Sequence, residues 1–281
     1  MSDDDLTEAA RDLWDGLGSA WDRHRDHVFA GFLPASEWIV DRIEPRPGAT
    51  ILELAAGPGE TGFLAADRIG PEGRLISTDL APAMVEAARR GAEARGLSCV
   101  ECHVMDAQDL ELPDDSVDGV ISRLGLMLTP QPARAFREIR RVLRPGGRLA
   151  YAVMGAPERN AWVALMMGAL IQNGHVPPGD PFGPGGVFSL SAPDRNQELL
   201  TATGFSAVTV REMEGVMEYA GFDAYWAVQT AVSGPVPALV ASLPADEAAA
   251  VRSTLEATLE PFRSATGYSI PTLAVVAGAT A

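Results

Sequence analysis

At 281 residues, 47% of them hydrophobic, the chain is long enough to bury a full core, as one enlarged domain or two small ones. The 38 acidic residues against 22 basic give a formal charge of −16, which opposes phosphate backbones and anionic membrane surfaces and argues against a nucleic-acid partner. The acidic start Met1–Asp5 is unlike an export signal and the longest apolar stretch, Ala161–Ile171, is too short to span a bilayer, so a soluble, cytoplasmic protein is expected.

Residues 1–48 precede the first strand and read as helices. Ser19 followed by Asp22 resembles a helix cap, and Leu17, Trp21, His24 and Val28 recur on one helical face. That face either packs on the sheet, the more usual role of a Trp and Val stripe, or closes over a ligand. A second helix, Pro34–Ile43, ends at Pro45 and Pro47.

From Ala49 strands and helices alternate, the pattern of a parallel α/β sheet with right-handed crossovers. A buried strand at Ile51–Leu54 leads into the turn Gly57-Pro58-Gly59 and a helix from Glu60. Gly73–Thr78 is a second strand ending at Asp79, and Pro82 opens a helix to about Arg95. Leu97–Met105 is a third strand ending at Asp106. Cys99 and Cys102 fall there in C-x-x-C spacing, on opposite strand faces, so they read as small packing residues; no metal site is expected. A fourth strand, Val117–Ser122, is followed by the loop Arg123–Thr129. The helix Pro132–Leu143 carries arginines that read as a solvated face, and Arg144-Pro145-Gly146-Gly147 breaks the chain before a fifth strand, Arg148–Met154.

Beyond that strand, Ala161, Trp162, Leu165, Met166, Ala169 and Leu170 form a wide apolar helical face ended by Asn173-Gly174. The Pro- and Gly-rich loop Val176–Ser189 has the composition of a lid or a disordered segment. A helix near Pro193–Thr203, a strand near Ser206–Glu212, a mostly helical Gly221–Thr266 and a final strand Tyr268–Ala277 complete the chain. The expected division is a helical cap over 1–48 and a doubly wound, mostly parallel domain over 49–281. A helical lid is inserted at about 215–266, before the last strand.

A strand, a glycine turn and a helix N-terminus aim unpaired N–H groups and a positive dipole end at one point above the sheet, a place for a nucleotide or carboxylate. Gly57, Gly59 and Gly62 also satisfy G-x-G-x-x-G, which leaves a nicotinamide dinucleotide open. With Glu53 ahead of them, however, they form E-x-x-x-G-x-G, and the stretch closely resembles the first motif of Rossmann-like S-adenosylmethionine-dependent methyltransferases. Asp79, Asp106 and Leu143-Arg144-Pro145-Gly146-Gly147 follow in the order that family uses, over Ala49 to about Met154. Within it the core looks most like the small-molecule enzymes of ubiquinone and menaquinone biosynthesis.

The resemblance implies S-adenosylmethionine as cofactor. Glu53, Ala55, Gly57 and Gly59 would shape its methionine end, Asp79 would hold the ribose, and Asp106 with Ala107 the adenine. Leu80 and Met84 would flank the adenine, although Met84 fits a core helix position equally well. Arg123 and Leu124 would border the cofactor; Arg123 departs from the small or apolar residue expected there, and a cofactor or substrate carboxylate would suit it. No residue is assigned as a catalytic base, since none of His24, His27, His103 and His175 is singled out by its context, and His103 reads as structural. Trp21, His24, Trp162, Met166, Tyr225 and Trp226 either line a pocket for a small apolar or aromatic acceptor or fill the core of the lid. The expected activity is methyl transfer to the oxygen, carbon or nitrogen of such a molecule. The alternatives are a nicotinamide-dependent oxidoreductase and a non-catalytic protein that binds S-adenosylmethionine.

Overall fold

The computed structural model describes residues 3–177 and 180–281. Met1 and Ser2 of the acidic start, and Pro178 and Gly179 of the loop 176–189, lie outside the described residues. Two helices, α1 (Asp3–Gly31) and α2 (Leu33–Ile43), lead to alternating β1 (Thr50–Glu53), α3 (Glu60–Ile69), β2 (Arg74–Asp79), α4 (Pro82–Ala94), β3 (Val100–Val104) and β4 (Val117–Arg123). Then come α5 (Pro132–Val142), β5 (Leu143–Met154), α6 (Ala161–Gln172), α7 (Pro193–Ala202) and β6 (Ser206–Tyr219). The chain closes with α8 (Phe222–Val232), α9 (Val236–Ser242), α10 (Ala245–Leu259), the two-residue β7 (Arg263–Ser264) and β8 (Gly267–Thr280).

The strands form one sheet in the order β3-β2-β1-β4-β5-β8-β6, with β7 paired to β8. β1 to β5 are mutually parallel, and β8 is antiparallel to both β5 and β6. Burial on both faces explains the near-continuous apolar runs: Ile51, Leu52, Val120, Ile121 and Leu149–Val153 are all buried. Pro at the first turn of α4, α5 and α7 starts each helix where its missing N–H costs nothing. From β1 the chain runs outward to β2 and β3, then returns to the other side of β1 for β4 and β5. A crevice therefore opens above the carboxyl ends of β1 and β4, where ligands bind in sheets of this type.

Several elements differ from the sequence reading. α1 runs unbroken through Ser19, which is exposed in mid-helix rather than capping a new one. β3 is shorter than expected and lies at the sheet edge, so His103 is an exposed residue beside Glu101 and has no core role. Cys99 is buried, Cys102 partly so, and burial raises the pKa of both thiols, which keeps them protonated and unreactive. Leu143 already pairs with Val117, so Arg144–Gly147 is a bulge within β5, after which Arg148 pairs with Gly119. β6 continues to Tyr219 because its pairing with β8 extends to Tyr268. No helix of the described residues is long and apolar enough to cross a membrane.

Candidate cofactor site

The end of β1 is held from below by Glu53. Its carboxylate is buried, accepts the Gly62 N–H at 2.7 Å and the Ser77 hydroxyl at 3.0 Å, and so pins the first turn of α3 to β1 and β2. A side chain at Gly62 would collide with this carboxylate, which accounts for the third glycine of the motif. Burial pushes the Glu53 pKa up to about 8, so near neutrality the group holds a proton. Above it the backbone turns sharply: Ala55, Gly57 and Gly59 all have positive φ, and Gly59 caps α3. Leu124, at the end of β4, also has positive φ. Two non-glycine residues in this strained region, facing each other across the central crevice, are a local feature that binding sites retain.

A cavity lies over this crevice. Ala55, Gly57, Asp79, Leu80, Met84, Asp106, Ala107, Arg123 and Leu124 all border it. Glu53 and Gly59 do not; they shape the loop that does. Asp79 accepts the Gly57 N–H at 2.8 Å on one oxygen and the Ala81 N–H at 3.0 Å on the other, which fixes the carboxylate and leaves a lone pair on each oxygen. Burial raises its pKa. Asp106 accepts the N–H of Gln108 at 2.8 Å, a turn that presents the carboxylate at the other end of the cavity.

The roof is α1. Thr7, Ala10, Trp14 and Trp21 face the cavity, and Thr7 accepts a hydrogen bond from Gln108 Nε2 at 3.4 Å. Apart from Trp21, sequence reading missed these residues. Their spacing of three, four and seven is the Trp21 face carried back along the same helix, so an unbroken α1 would have revealed them.

At the glycine-loop end the Arg25 and Arg123 guanidinium groups lie near the buried Glu60 carboxyl group, and Arg25 also pairs with Asp22. Arg25 pairs with the buried Glu60 at 3.1 Å and donates to the Ala87 carbonyl at 2.9 Å. Arg123 donates through Nε to the Thr61 hydroxyl at 3.0 Å, and its buried Nη1 has no hydrogen-bond partner. Burial pulls the Arg123 pKa down and the Glu60 pKa up, each opposed by the other's charge. The Arg123 guanidinium borders the cavity with its Nη1 free of any hydrogen bond to the described residues. A carboxylate there would receive charge-assisted hydrogen bonds from it.

Of the residues expected to hold an acceptor, only Trp21 borders the cavity. His24 lies half-buried elsewhere on α1. Trp162, Met166 and Tyr225 are core residues, and the Tyr225 hydroxyl donates to the Trp162 carbonyl at 3.0 Å. Trp226 is partly buried, with Arg252 5.3 Å from its ring. The apolar faces of α6 and α8 thus close on the core instead of lining open space. No cluster of three His, Cys, Asp or Glu among the described residues is placed to hold a metal ion.

A switch-point crevice with a glycine loop, acids at the ends of β2 and β3 and a helical roof defines an adenosyl-cofactor-binding α/β protein. A family described as a methyltransferase domain matches residues 51–147. Nocamycin O-methyltransferase of Saccharothrix syringae is 30% identical over 203 residues, covering 66% of this chain and 69% of that protein. A demethylmenaquinone methyltransferase of Thermus thermophilus is 33% identical over 171 residues, 56% of this chain and 74% of that protein. Two relatives with higher identity, 40% and 42%, are matched over only 27% and 33% of their own length. Among solved structures, the YcgJ protein of Bacillus subtilis superposes with a TM-score of 0.58 at 21% identity, over 88% of this chain and 98% of that one. The chain belongs to the S-adenosylmethionine-dependent methyltransferases.

Proposed function

We propose that the protein transfers the methyl group of S-adenosylmethionine to a small apolar or aromatic molecule. The observation that carries this reading is one cavity bordered by two acids at strand ends and, at the glycine-loop end, by a buried arginine with an unpartnered Nη1. The cofactor's own polar groups match that order: adenine toward Asp106 and Ala107, ribose toward Asp79, methionine carboxylate toward Arg123. When bound, the cofactor supplies a methyl carbon activated by its sulfonium.

The chain's residues then have three tasks. Asp79 and Asp106 orient the adenosine by accepting hydrogen bonds, Arg123 neutralises the carboxylate, and α1 excludes water from the crevice. In this reading residues 1–48 act as a cap on the domain formed by 49–281, and α8–α10 contribute the lid. The two relatives named above are an O-methyltransferase and a demethylmenaquinone methyltransferase, which supports a small-molecule acceptor.

The test is incubation with S-adenosylmethionine labelled in its methyl group and a panel of phenols, quinols, carboxylic acids and amines. Labelled product with matching S-adenosylhomocysteine is expected for a small aromatic member. Cofactor binding with no turnover on any member would contradict the catalytic reading and leave a cofactor-binding protein.

A further inference from the structure

Gln108 is 5% exposed, and its side chain hydrogen-bonds to three segments that meet at the cavity it borders. Its Oε1 accepts the N–H of Gln131 at 2.9 Å, at the start of α5 and next to Thr129 and Pro130 of the cavity wall. Its Nε2 lies 3.3 Å from each carboxylate oxygen of Asp106 and 3.4 Å from the Thr7 hydroxyl of α1. These partners fix which way the amide faces. Only an acceptor can meet the Gln131 N–H, so the N–H₂ points at Asp106 and Thr7; a flipped amide would set its oxygen against a carboxylate.

The consequence falls on Asp106. A carboxylate turns easily about its Cβ–Cγ bond, because that torsion is broad. The Gln108 backbone N–H, at 2.8 Å, holds Oδ1 alone. The side-chain amide spans both oxygens, so it fixes the plane of the carboxylate as well as its place. Oδ1 then accepts two hydrogen bonds and Oδ2 one, which leaves Oδ2 with a lone pair for a ligand donor.

We propose that Gln108 is a positioning residue for adenine recognition, holding Asp106 so that Oδ2 accepts a hydrogen bond from the exocyclic amino group. The inference rests on the reading above that places adenine at Asp106. Thr7 ties α1 to the same amide, so the roof and the adenine acceptor share one support. A purine with an oxo group in place of the amine offers no donor there and turns an oxygen toward the carboxylate. The arrangement therefore selects adenine over hypoxanthine.

Calorimetric titration of the full chain at pH 8 with S-adenosylhomocysteine and with S-inosylhomocysteine tests it. The wild type is expected to bind the first about tenfold tighter or more. Gln108→Leu removes the amide; Gln108→Glu keeps an acceptor for the Gln131 N–H but offers Asp106 no donor. Each is expected to cut the preference to about threefold or less. In an Asp106→Ala background, Gln108→Leu is expected to change the preference no further. A purely structural role would weaken both ligands alike and preserve their ratio. Retention of the wild-type preference in either Gln108 variant overturns the proposal. So does a further loss in the Asp106→Ala background, which would put the amide on the cofactor itself. Equal binding of the two ligands by the wild type would instead overturn the placement of adenine at Asp106.

Discussion

Asp79 is held by two backbone N–H groups and keeps lone pairs for a ligand, so its removal takes away charge-assisted hydrogen bonds to that ligand. Asp79→Ala is expected to weaken S-adenosylmethionine binding by about 1.5–3 kcal/mol, measured by calorimetry on the folded variant. Unchanged affinity would remove Asp79 from the site. Arg123 is tested with a pair of ligands: S-adenosylhomocysteine and 5′-methylthioadenosine, which lacks the amino-acid carboxylate. The wild type is expected to prefer the first, and Arg123→Met to lose most of that preference while its affinity for methylthioadenosine holds. Retained preference would place the carboxylate elsewhere. Glu53 sets a pH dependence. Its folded pKa of about 8 lies above the ordinary glutamate value of 4.5, so between these values the folded chain holds a proton that the unfolded chain has released. The stability this contributes is complete below about pH 4.5 and lost as pH rises through 8. The melting temperature of Glu53→Gln, minus that of the wild type, is therefore expected to rise between pH 5 and pH 8. A constant difference would show that Glu53 is ionised in the fold.

Helix α1 is the element that converts an open crevice into a covered site. It is tied down by the Arg25–Glu60 pair, by Asp22 to Arg25 and Arg90, and by Asp15 accepting the Ala83 N–H at 2.7 Å. Arg25→Met takes from the buried Glu60 carboxyl group its partner at 3.1 Å, and is expected to cost about 3 kcal/mol of stability in denaturant unfolding. A loss below about 0.5 kcal/mol would show that the pair is not what anchors the helix. The strands and helices from β1 to β5 were legible because burial on both faces writes continuous apolar runs and proline marks the helix starts. The continuity of α1 was not, since an exposed Ser19 followed by Asp22 looks the same in mid-helix as at a cap. The length of β6 depends on pairing with β8, more than 50 residues later in sequence, and no local pattern carries it. An apolar stripe such as Trp162 to Met166 reads alike whether it faces a ligand or the core, which is why those residues were expected around a pocket they do not border.

At the scale of the whole molecule, strand order does the decisive work. It brings the ends of β1, β2, β3 and β4, separated by up to 70 residues in sequence, around one cavity between the Glu53 strand and the Arg123 strand. The net charge of −16 disfavours a polyanionic partner for the molecule as a whole. The most direct test of the account is calorimetric titration of the purified chain with S-adenosylmethionine, S-adenosylhomocysteine and NADH. Saturable binding of the first two and none of the third is predicted. Binding of NADH alone would contradict it and make Gly57–Gly62 a dinucleotide loop.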